Sequence, residues 1–212
     1  MRLICISDTH GLHDDIVIPE GDVLIHAGDF CNWGRIGDVL KFNIWLGKLP
    51  HTHKLICAGN HDIYMQKQPV LARSLITNGI YLENEGVSIN GINFYASPWT
   101  NIFMDWAFMK SEEELNKVFS KIPLKTDIII THGPAYGHLD KVDKKYANED
   151  SDFHVGSKSL LKHIKRVKPK YIFCGHIHCG YGESKIGDTL IYNVSTCNED
   201  YKPVNKPIII DI

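Results

Sequence analysis

Short runs of apolar and β-branched residues recur along the whole chain, and each run is four to six residues long. Gly, Asp, Asn or Pro bounds each run, a pattern typical of buried β-strands. We therefore predict a strand at each of them. The runs are Leu3–Ser7, Val23–Ala27, Lys54–Ala58, Ile92–Ala96, Asp127–Thr131, Tyr171–Cys174, Leu190–Val194 and Pro207–Ile212.

Three stretches between these runs have the spacing of amphipathic helices. Val39–Leu46 carries apolar residues at positions 39, 40, 42, 45 and 46, and Ser157–Val167 ends before Pro169. Ser111 precedes an apolar pattern at positions 115, 118, 119 and 122, and Glu114 completes a capping box with it. These features predict three helices.

The region 81–99 predicts a further sheet element. Tight turns at Asn84-Glu85 and Asn90-Gly91 separate three short strand-like runs, so we expect an antiparallel meander. The three runs are Tyr81–Glu83, Gly86–Ile89 and Ile92–Trp99. Strands that alternate with helices, together with a meander, predict an α/β sandwich of two mixed sheets flanked by helices.

Length and composition predict how many domains the chain forms. With 212 residues and no low-complexity segment, repeat or linker, we expect a single domain spanning residues 1–212. The polar stretch 135–152 has no clear periodicity, and we expect it to be a mobile surface loop near the functional site.

Charge, hydropathy and cysteine content indicate which partners and which cellular location to expect. A net charge of -2 gives no support for a nucleic-acid polymer as partner. No run approaches roughly 18 apolar residues and the start MRLICISD has no cleavage site, so we expect neither a membrane span nor a secretory signal. The six cysteines form no CxxC pair and several lie in apolar runs, which indicates buried, reduced thiols and a cytoplasmic location.

Residues of metal-ligand type follow five of the predicted strands. Histidine, the commonest metal ligand, occurs twelve times in the chain. In α/β folds ligands bind outside the carboxyl ends of the strands, so we expect these five segments to converge on one crevice. They are Asp8-Thr9-His10, Gly28-Asp29, Gly59-Asn60-His61-Asp62, Thr131-His132-Gly133 and Gly175-His176-Ile177-His178.

Each segment also has an ordinary structural interpretation. Asp8 with His10 is compatible with a turn, and His132 is compatible with a core histidine. The pair His176 and His178 is more specific, because an HxH sequence after a strand places both rings on the same side. Joint occurrence at five strand ends favours a metal centre. Carboxylate, imidazole and amide ligands suit Mn, Fe, Zn or Mg, and seven candidates are too many for one tetrahedral ion.

In this order, the five segments resemble the motif blocks of the calcineurin-like metallophosphoesterase superfamily. Further segments resemble its subfamily of metallophosphoesterase-domain proteins from animal brain and their bacterial relatives. The resemblance covers nearly the whole chain and implies a four-layer αββα sandwich with a dinuclear metal site. The further segments are His26-Ala27-Gly28-Asp29-Phe30, Phe42-Asn43-x-Trp45-Leu46-Gly47, Ala96-Ser97-Pro98-Trp99-Thr100, Thr131-His132-Gly133-Pro134 and Ser195-Thr196-Cys197-Asn198.

The resemblance also implies roles for individual residues. His61 would protonate the leaving oxygen or steady the phosphate, and Asp62 would orient His61. Two divalent ions, with manganese favoured, would activate a bridging hydroxide for attack on phosphorus. The implied ligands are Asp8, His10 and His178 for one ion, Asn60, His132 and His176 for the other, and Asp29 as the bridge.

The substrate is less well defined. Protein phosphatases of the superfamily carry Gly-Asp-x-x-Asp-Arg-Gly, whose arginine grips the phosphate, and Trp33 occupies that position here. The missing arginine favours a diester monoanion over a monoester, and Trp33 offers a ring against which an ester substituent can pack. The resemblance to the subfamily implies small-molecule phosphate esters as substrates, namely aryl or cyclic-nucleotide diesters. Trp99 and Trp106 are equally compatible with an aromatic wall of the site and with the core.

Three alternatives stay open from the sequence. They are a phosphomonoesterase acting on small molecules or proteins, a non-catalytic metal-binding scaffold, and a nuclease acting on polymers. The presence of His10, Asp29 and His61 favours an enzyme over a scaffold, and 212 residues leave no room for an added DNA-binding domain. A homodimer is compatible with the sequence.

Overall fold

The computed structural model of the protein describes residues 1–143 and 153–212. Part of the polar stretch 135–152, namely 144–152, therefore lies outside the described residues. The strands are β1 (Arg2–Ile6), β2 (Val23–Ala27), β3 (His53–Cys57), β4 (Ile80–Tyr81), β5 (Glu85–Ile89), β6 (Ile92–Ser97), β7 (Thr100–Asn101), β8 (Met109–Lys110), β9 (Ile128–Thr131), β10 (Tyr171–Cys174), β11 (Gly182–Ile186), β12 (Thr189–Asn193) and β13 (Ile208–Asp211). The α-helices are α1 (Ile36–Lys48), α2 (Ile63–Lys67), α3 (Pro69–Leu75), α4 (Glu112–Phe119) and α5 (Lys158–Val167).

All eight strands predicted from apolar runs are present, as β1, β2, β3, β6, β9, β10, β12 and β13. The three predicted helices are α1, α4 and α5. The capping box at α4 is confirmed, because Ser111 Oγ accepts from the Glu114 N–H and the Glu114 carboxylate accepts from the Ser111 N–H at 3.1 Å. Hydrophobic periodicity and cap chemistry were sufficient to find these elements.

The strands form two mixed sheets. The first has the order β13-β1-β2-β3-β4, in which only β13 runs antiparallel to its neighbour. The second has the order β11-β12-β10-β9-β6-β5, with antiparallel pairs at both edges and parallel strands between them. The predicted α/β sandwich of two mixed sheets is therefore confirmed.

Helices cover the outer face of each sheet and produce a four-layer αββα sandwich. Along β1, Leu3 and Cys5 point into the core between the sheets, whereas Ile4 and Ile6 point into the core beneath α1–α3. Leu115 of α4 packs in a third core on the second sheet. Because β1 is buried on both faces, its sequence is a continuous apolar run rather than an alternating one.

The predicted meander is wrong at its first strand. Tyr81 lies in β4, which pairs in parallel with β3 in the first sheet, whereas β5 and β6 form a hairpin in the second sheet. The chain crosses between the sheets at Asn84, whose φ is 54°. The second predicted turn is confirmed, since Asn90 and Gly91 both have the positive φ values of a tight hairpin turn, 51° and 81°.

Two expectations from composition can be compared with the fold. Cys5, Cys31, Cys57, Cys174 and Cys197 are buried free thiols, whereas Cys179 is exposed. Across residues 1–143 and 153–212, no helix is both long and apolar enough to span a membrane.

Candidate metal centre

The five polar segments meet at one edge of the sandwich. β1, β2 and β3 are parallel neighbours in the first sheet, and β9 and β10 are parallel neighbours in the second. Each segment directly follows one of these strands, so their side chains gather where the carboxyl ends of both sheets meet. The structure thus brings together every predicted metal ligand: Asp8, His10, Asp29, Asn60, His132, His176 and His178.

One cluster contains Asp8, His10 and His178, whose ligand atoms all lie within 4.8 Å of one another. His178 Nε2 lies 3.4 Å from Asp8 Oδ1 and 3.2 Å from His10 Nε2. Two imidazole nitrogens that face each other this closely share at most one proton between them. The same arrangement suits two ligands of one cation.

A second cluster contains Asp29, His132 and His176, again with ligand atoms within 4.8 Å of one another. His132 Nε2 lies 3.3 Å from Asp29 Oδ2 and 2.8 Å from Asn60 Oδ1, so the amide oxygen joins this cluster. Asp29 also forms a group with His10. Its carboxylate therefore lies between the two clusters.

The backbone at four of these residues is held in the left-handed region. The φ values are 53° at Asp8, 44° at His10, 56° at Asp29 and 67° at His176. Such conformations are strained for residues other than glycine and cluster at functional sites. Hydrogen bonds hold them here, because the Asp8 carboxylate accepts from the His176 N–H at 3.0 Å and the His10 N–H donates to the Asp29 carbonyl at 3.0 Å.

Two glycines allow the segments to approach each other. A Cβ at Gly175 would overlap the Asp8 carboxylate, and a Cβ at Gly59 would overlap both the Asp29 carboxylate and the His132 ring. The absence of a side chain at these positions is therefore a steric requirement of the centre.

Both carboxyl groups of the centre are ionised at neutral pH. Burial raises the pKa of Asp8, but the hydrogen bond from His178 and its charge outweigh burial and hold that pKa well below its usual range. The pKa of Asp29 is lowered in the same way, because the charge and hydrogen bond of His132 outweigh burial. The centre thus offers two anionic ligands.

The imidazoles differ in protonation. Burial lowers the pKa of His10 to about 4, and burial together with the charge of His132 lowers that of His176 to about 3, so both rings are neutral at pH 7. For His132 burial is outweighed by the charge of Asp29, which raises the pKa to about 9. A cation would replace that proton. The donor set of carboxylates, imidazoles and an amide oxygen fits divalent ions of the Mn, Fe, Zn or Mg type.

His61 adjoins the centre and is held by the main chain. Its Nδ1 donates to the Asn32 carbonyl at 2.8 Å, and its backbone N–H donates to Asp29 Oδ1 at 2.7 Å. With Nδ1 engaged in this way, Nε2 is the ring nitrogen left to act on another group.

Asp62 contacts the backbone rather than the ring of His61. Its buried carboxylate accepts from the N–H groups of Asp29, Cys31 and Gly59 at 2.9, 2.8 and 2.7 Å. Burial and the charge of Asp29 raise the pKa of Asp62 to about 8. The predicted orientation of His61 by Asp62 would therefore be indirect, because Asp62 holds the backbone of two of the ligand segments.

Aromatic residues around the centre were only partly predicted. Trp33 follows Asn32 and is 60% exposed. Trp106 stacks on His61 with 4.3 Å between ring centroids, whereas Trp99 packs in the core against Phe108. Tyr201, which the sequence motifs did not indicate, packs against the rings of the centre, because the loop after β12 returns to it.

Comparisons with known sequences identify the family to which the chain is similar. The calcineurin-like phosphoesterase family model matches residues 1–180. Human metallophosphoesterase domain-containing protein 1 is 40% identical over 236 residues, an alignment that covers 100% of this chain and 71% of the human protein.

Solved structures share the fold. TT1561 of Thermus thermophilus superimposes with a TM-score of 0.61 at 13% identity, over 91% of this chain and 88% of that chain. A putative 5'-nucleotidase from Staphylococcus aureus gives a TM-score of 0.57 at 11% identity, over 100% of this chain and 54% of that chain. Because the family model matches residues 1–180 and the human protein is 40% identical over the whole chain, the chain belongs to the calcineurin-like phosphoesterase family.

Proposed function

We propose that the protein is a phosphodiesterase that hydrolyses small phosphodiesters, of aryl or cyclic-nucleotide type, with two divalent metal ions. The observation that carries this proposal is the pair of ligand clusters joined through the Asp29 carboxylate. Family membership supports ester hydrolysis, and the mixed nitrogen and oxygen donors are compatible with manganese, which we favour as the metal. The assigned ligands are Asp8, His10 and His178 for one ion, Asn60, His132 and His176 for the other, and Asp29 for both.

We assign the following roles in hydrolysis to the metal ions and to residues of this chain. When bound, two such ions polarise the phosphoryl oxygens and lower the pKa of bound water from about 15.7 toward ~7. His61, whose Nδ1 is bonded to Asn32, presents Nε2 to the ester and delivers a proton to the leaving oxygen. Asp62 fixes the relative position of the segments that carry Asp29 and His61, because its carboxylate accepts from the backbone N–H groups of both segments.

The preference for a diester follows from the charged groups near the centre. A monoester carries close to two negative charges and needs a donor beyond the metals, and Trp33 stands where the phosphatases have an arginine. Arg2 and Arg73 pair with surface carboxylates, and Arg166 donates to main-chain carbonyls. Arg35 stands at the N-cap position of α1, where its backbone N–H donates to the Asp38 carboxylate. A diester has one charge, and one of its two substituents can pack on the exposed Trp33 ring.

This preference can be measured with matched aryl esters. We expect kcat/KM to be higher for bis(4-nitrophenyl) phosphate than for 4-nitrophenyl phosphate in the unmodified protein. Trp33→Arg should shift the ratio toward the monoester by about 1–3 kcal/mol, the size of a charge-assisted hydrogen bond, while Trp33→Phe should not. If the unmodified protein favours the monoester tenfold or more, the protein is a small-molecule phosphatase instead.

A further inference from the structure

Tyr201 lies over the first ligand cluster. Its ring centroid is 4.7 Å from that of His10, 5.3 Å from that of His178 and 6.2 Å from that of His61. The residue is nevertheless 46% exposed. Part of the ring therefore rests on the ligand histidines, and part of it faces the solvent from which a substrate arrives.

The position of Tyr201 is fixed by the loop that carries it. The Asn198 side-chain oxygen accepts from the N–H groups of Asp200 and Lys202, each at 3.0 Å. The Asn198 carbonyl accepts from the Tyr201 N–H at 2.9 Å and from His178 Nδ1 at 2.9 Å. The Asn198 carbonyl thus accepts from both Tyr201 and the candidate metal ligand His178, which fixes the position of the Tyr201 ring relative to the metal centre.

Another aromatic residue occupies the side of His61. Trp106 stacks on the His61 ring at 4.3 Å with an angle of 26° between the planes. The next residue, Ala107, donates its N–H to the Asn60 carbonyl at 3.2 Å, which ties this segment to the centre. The face of His61 is therefore covered by Trp106, while Tyr201 stands beside His10.

These positions separate the two substituents of a diester. The leaving oxygen must lie within hydrogen-bond reach of His61, because that residue supplies its proton. Of the two aromatic rings, Trp106 is the one that stacks on His61, whereas the Tyr201 ring is 6.2 Å from His61, so we place the substituent that stays on phosphorus against Tyr201. Tyr201 is the half-exposed ring that packs on both His10 and His178.

We propose that Tyr201 is a specificity-determining residue whose ring packs against the retained ester substituent, so that the protein favours a flat, ring-shaped substituent over a small alkyl group. This inference rests on the proposed phosphodiesterase function. Its physical basis is the contact of two flat rings, which is tolerant of the identity of the ring and requires no specific hydrogen bond.

The kinetic test varies only the retained substituent. 4-Nitrophenyl phenyl phosphate and 4-nitrophenyl methyl phosphate share one leaving group, so chemistry at the leaving oxygen is constant. Tyr201→Ala should raise KM for the phenyl ester about 5- to 50-fold relative to the methyl ester, the range expected for loss of one stacking contact. Tyr201→Phe keeps the ring and should behave like the unmodified protein. Val204→Ala, an exposed apolar truncation in the same loop, is the matched control.

A binding measurement separates this proposal from the proposed function. Phenylphosphonate and methylphosphonate are not hydrolysed, and calorimetry with the manganese-loaded protein gives their affinities without turnover. We expect tighter binding of phenylphosphonate, and loss of that preference in Tyr201→Ala at unchanged metal content. If no diester is hydrolysed but this preference is present and depends on Tyr201, the substrate class is wrong and the role of Tyr201 stands.

Three results would overturn the role of Tyr201. The first is an equal loss for phenyl and methyl esters, which would mean that Tyr201 acts through His10 and His178 on the metals. The second is a Tyr201→Phe variant as impaired as Tyr201→Ala, which would assign the effect to the hydroxyl. The third is equal affinity of the unmodified protein for the two phosphonates.

Discussion

Replacing Asp29 by asparagine is expected to remove at least one bound cation and to lower kcat about 10³-fold, since a metal ion contributes several kcal/mol to the transition state. Asn preserves the size of the side chain and one oxygen, which can still accept the 2.7 Å hydrogen bond from the His61 N–H. It removes the negative charge that lies between the two ligand clusters. Metal analysis and turnover of an aryl diester measure both effects.

Asp14→Asn is the matched control for this substitution. Asp14 is exposed and pairs with Lys48 on the surface, so its neutralisation should leave metal content and kcat unchanged. An Asp29→Asn protein that binds two ions and turns over normally would contradict the placement of Asp29 between them.

His61→Gln is expected to lower kcat by about 10²–10⁴-fold for a poor leaving group, the contribution of a positioned general acid, while metal content stays near normal. An activated leaving group such as 4-nitrophenolate departs without a proton, so the decrease in kcat caused by His61→Gln should be smaller for its esters. The pair of diesters to compare is therefore a 4-nitrophenyl and an alkyl ester with the same retained substituent.

The outcome distinguishes three roles of His61. Equal losses for both leaving groups would mean that His61 positions the phosphate rather than protonating the leaving oxygen. Loss of a metal ion would make it a ligand, a role that its grouping with His10 and Asp29 also permits. His53→Gln, at the opposite end of β3, controls for loss of a histidine in general.

Much of the fold was predictable because buried strands and capped helices have strong local signals. The eight apolar runs and the Ser111 capping box were sufficient for the central strands and for α4. α2 and α3 were missed because they are only five and seven residues long, and because Pro69, the first residue of α3, interrupts the helical pattern of the sequence. The prediction of a meander was wrong because the sequence alone does not show that the chain passes from one sheet to the other at Asn84.

The ligand segments were predictable for a topological reason. Every segment follows the carboxyl end of a parallel strand, and that rule brings Asp8 and His178 together although they are 170 residues apart in the chain. The strained φ values at Asp8 and His176 had no sequence signal, because their residue types are compatible with ordinary backbone.

The surroundings of the ligands were harder to predict because they depend on loops. Tyr201 and Trp106 lie in irregular segments whose path is set by long-range contacts, such as the bond from Ala107 to Asn60. The contacts of Asp62 could not be predicted from the sequence for a related reason. Its partners are backbone N–H groups, such as that of Cys31, which leave no trace in residue types.

The most direct test is a metal titration of the unmodified protein. After chelation and dialysis, Mn²⁺ is added back while bound metal and hydrolysis of bis(4-nitrophenyl) phosphate are followed together. We predict no hydrolysis by the metal-free protein and activity that rises with binding and saturates at two ions per chain. Full activity without metal, or two bound ions without hydrolysis of any phosphate ester, would contradict the assignment of a dinuclear phosphodiesterase.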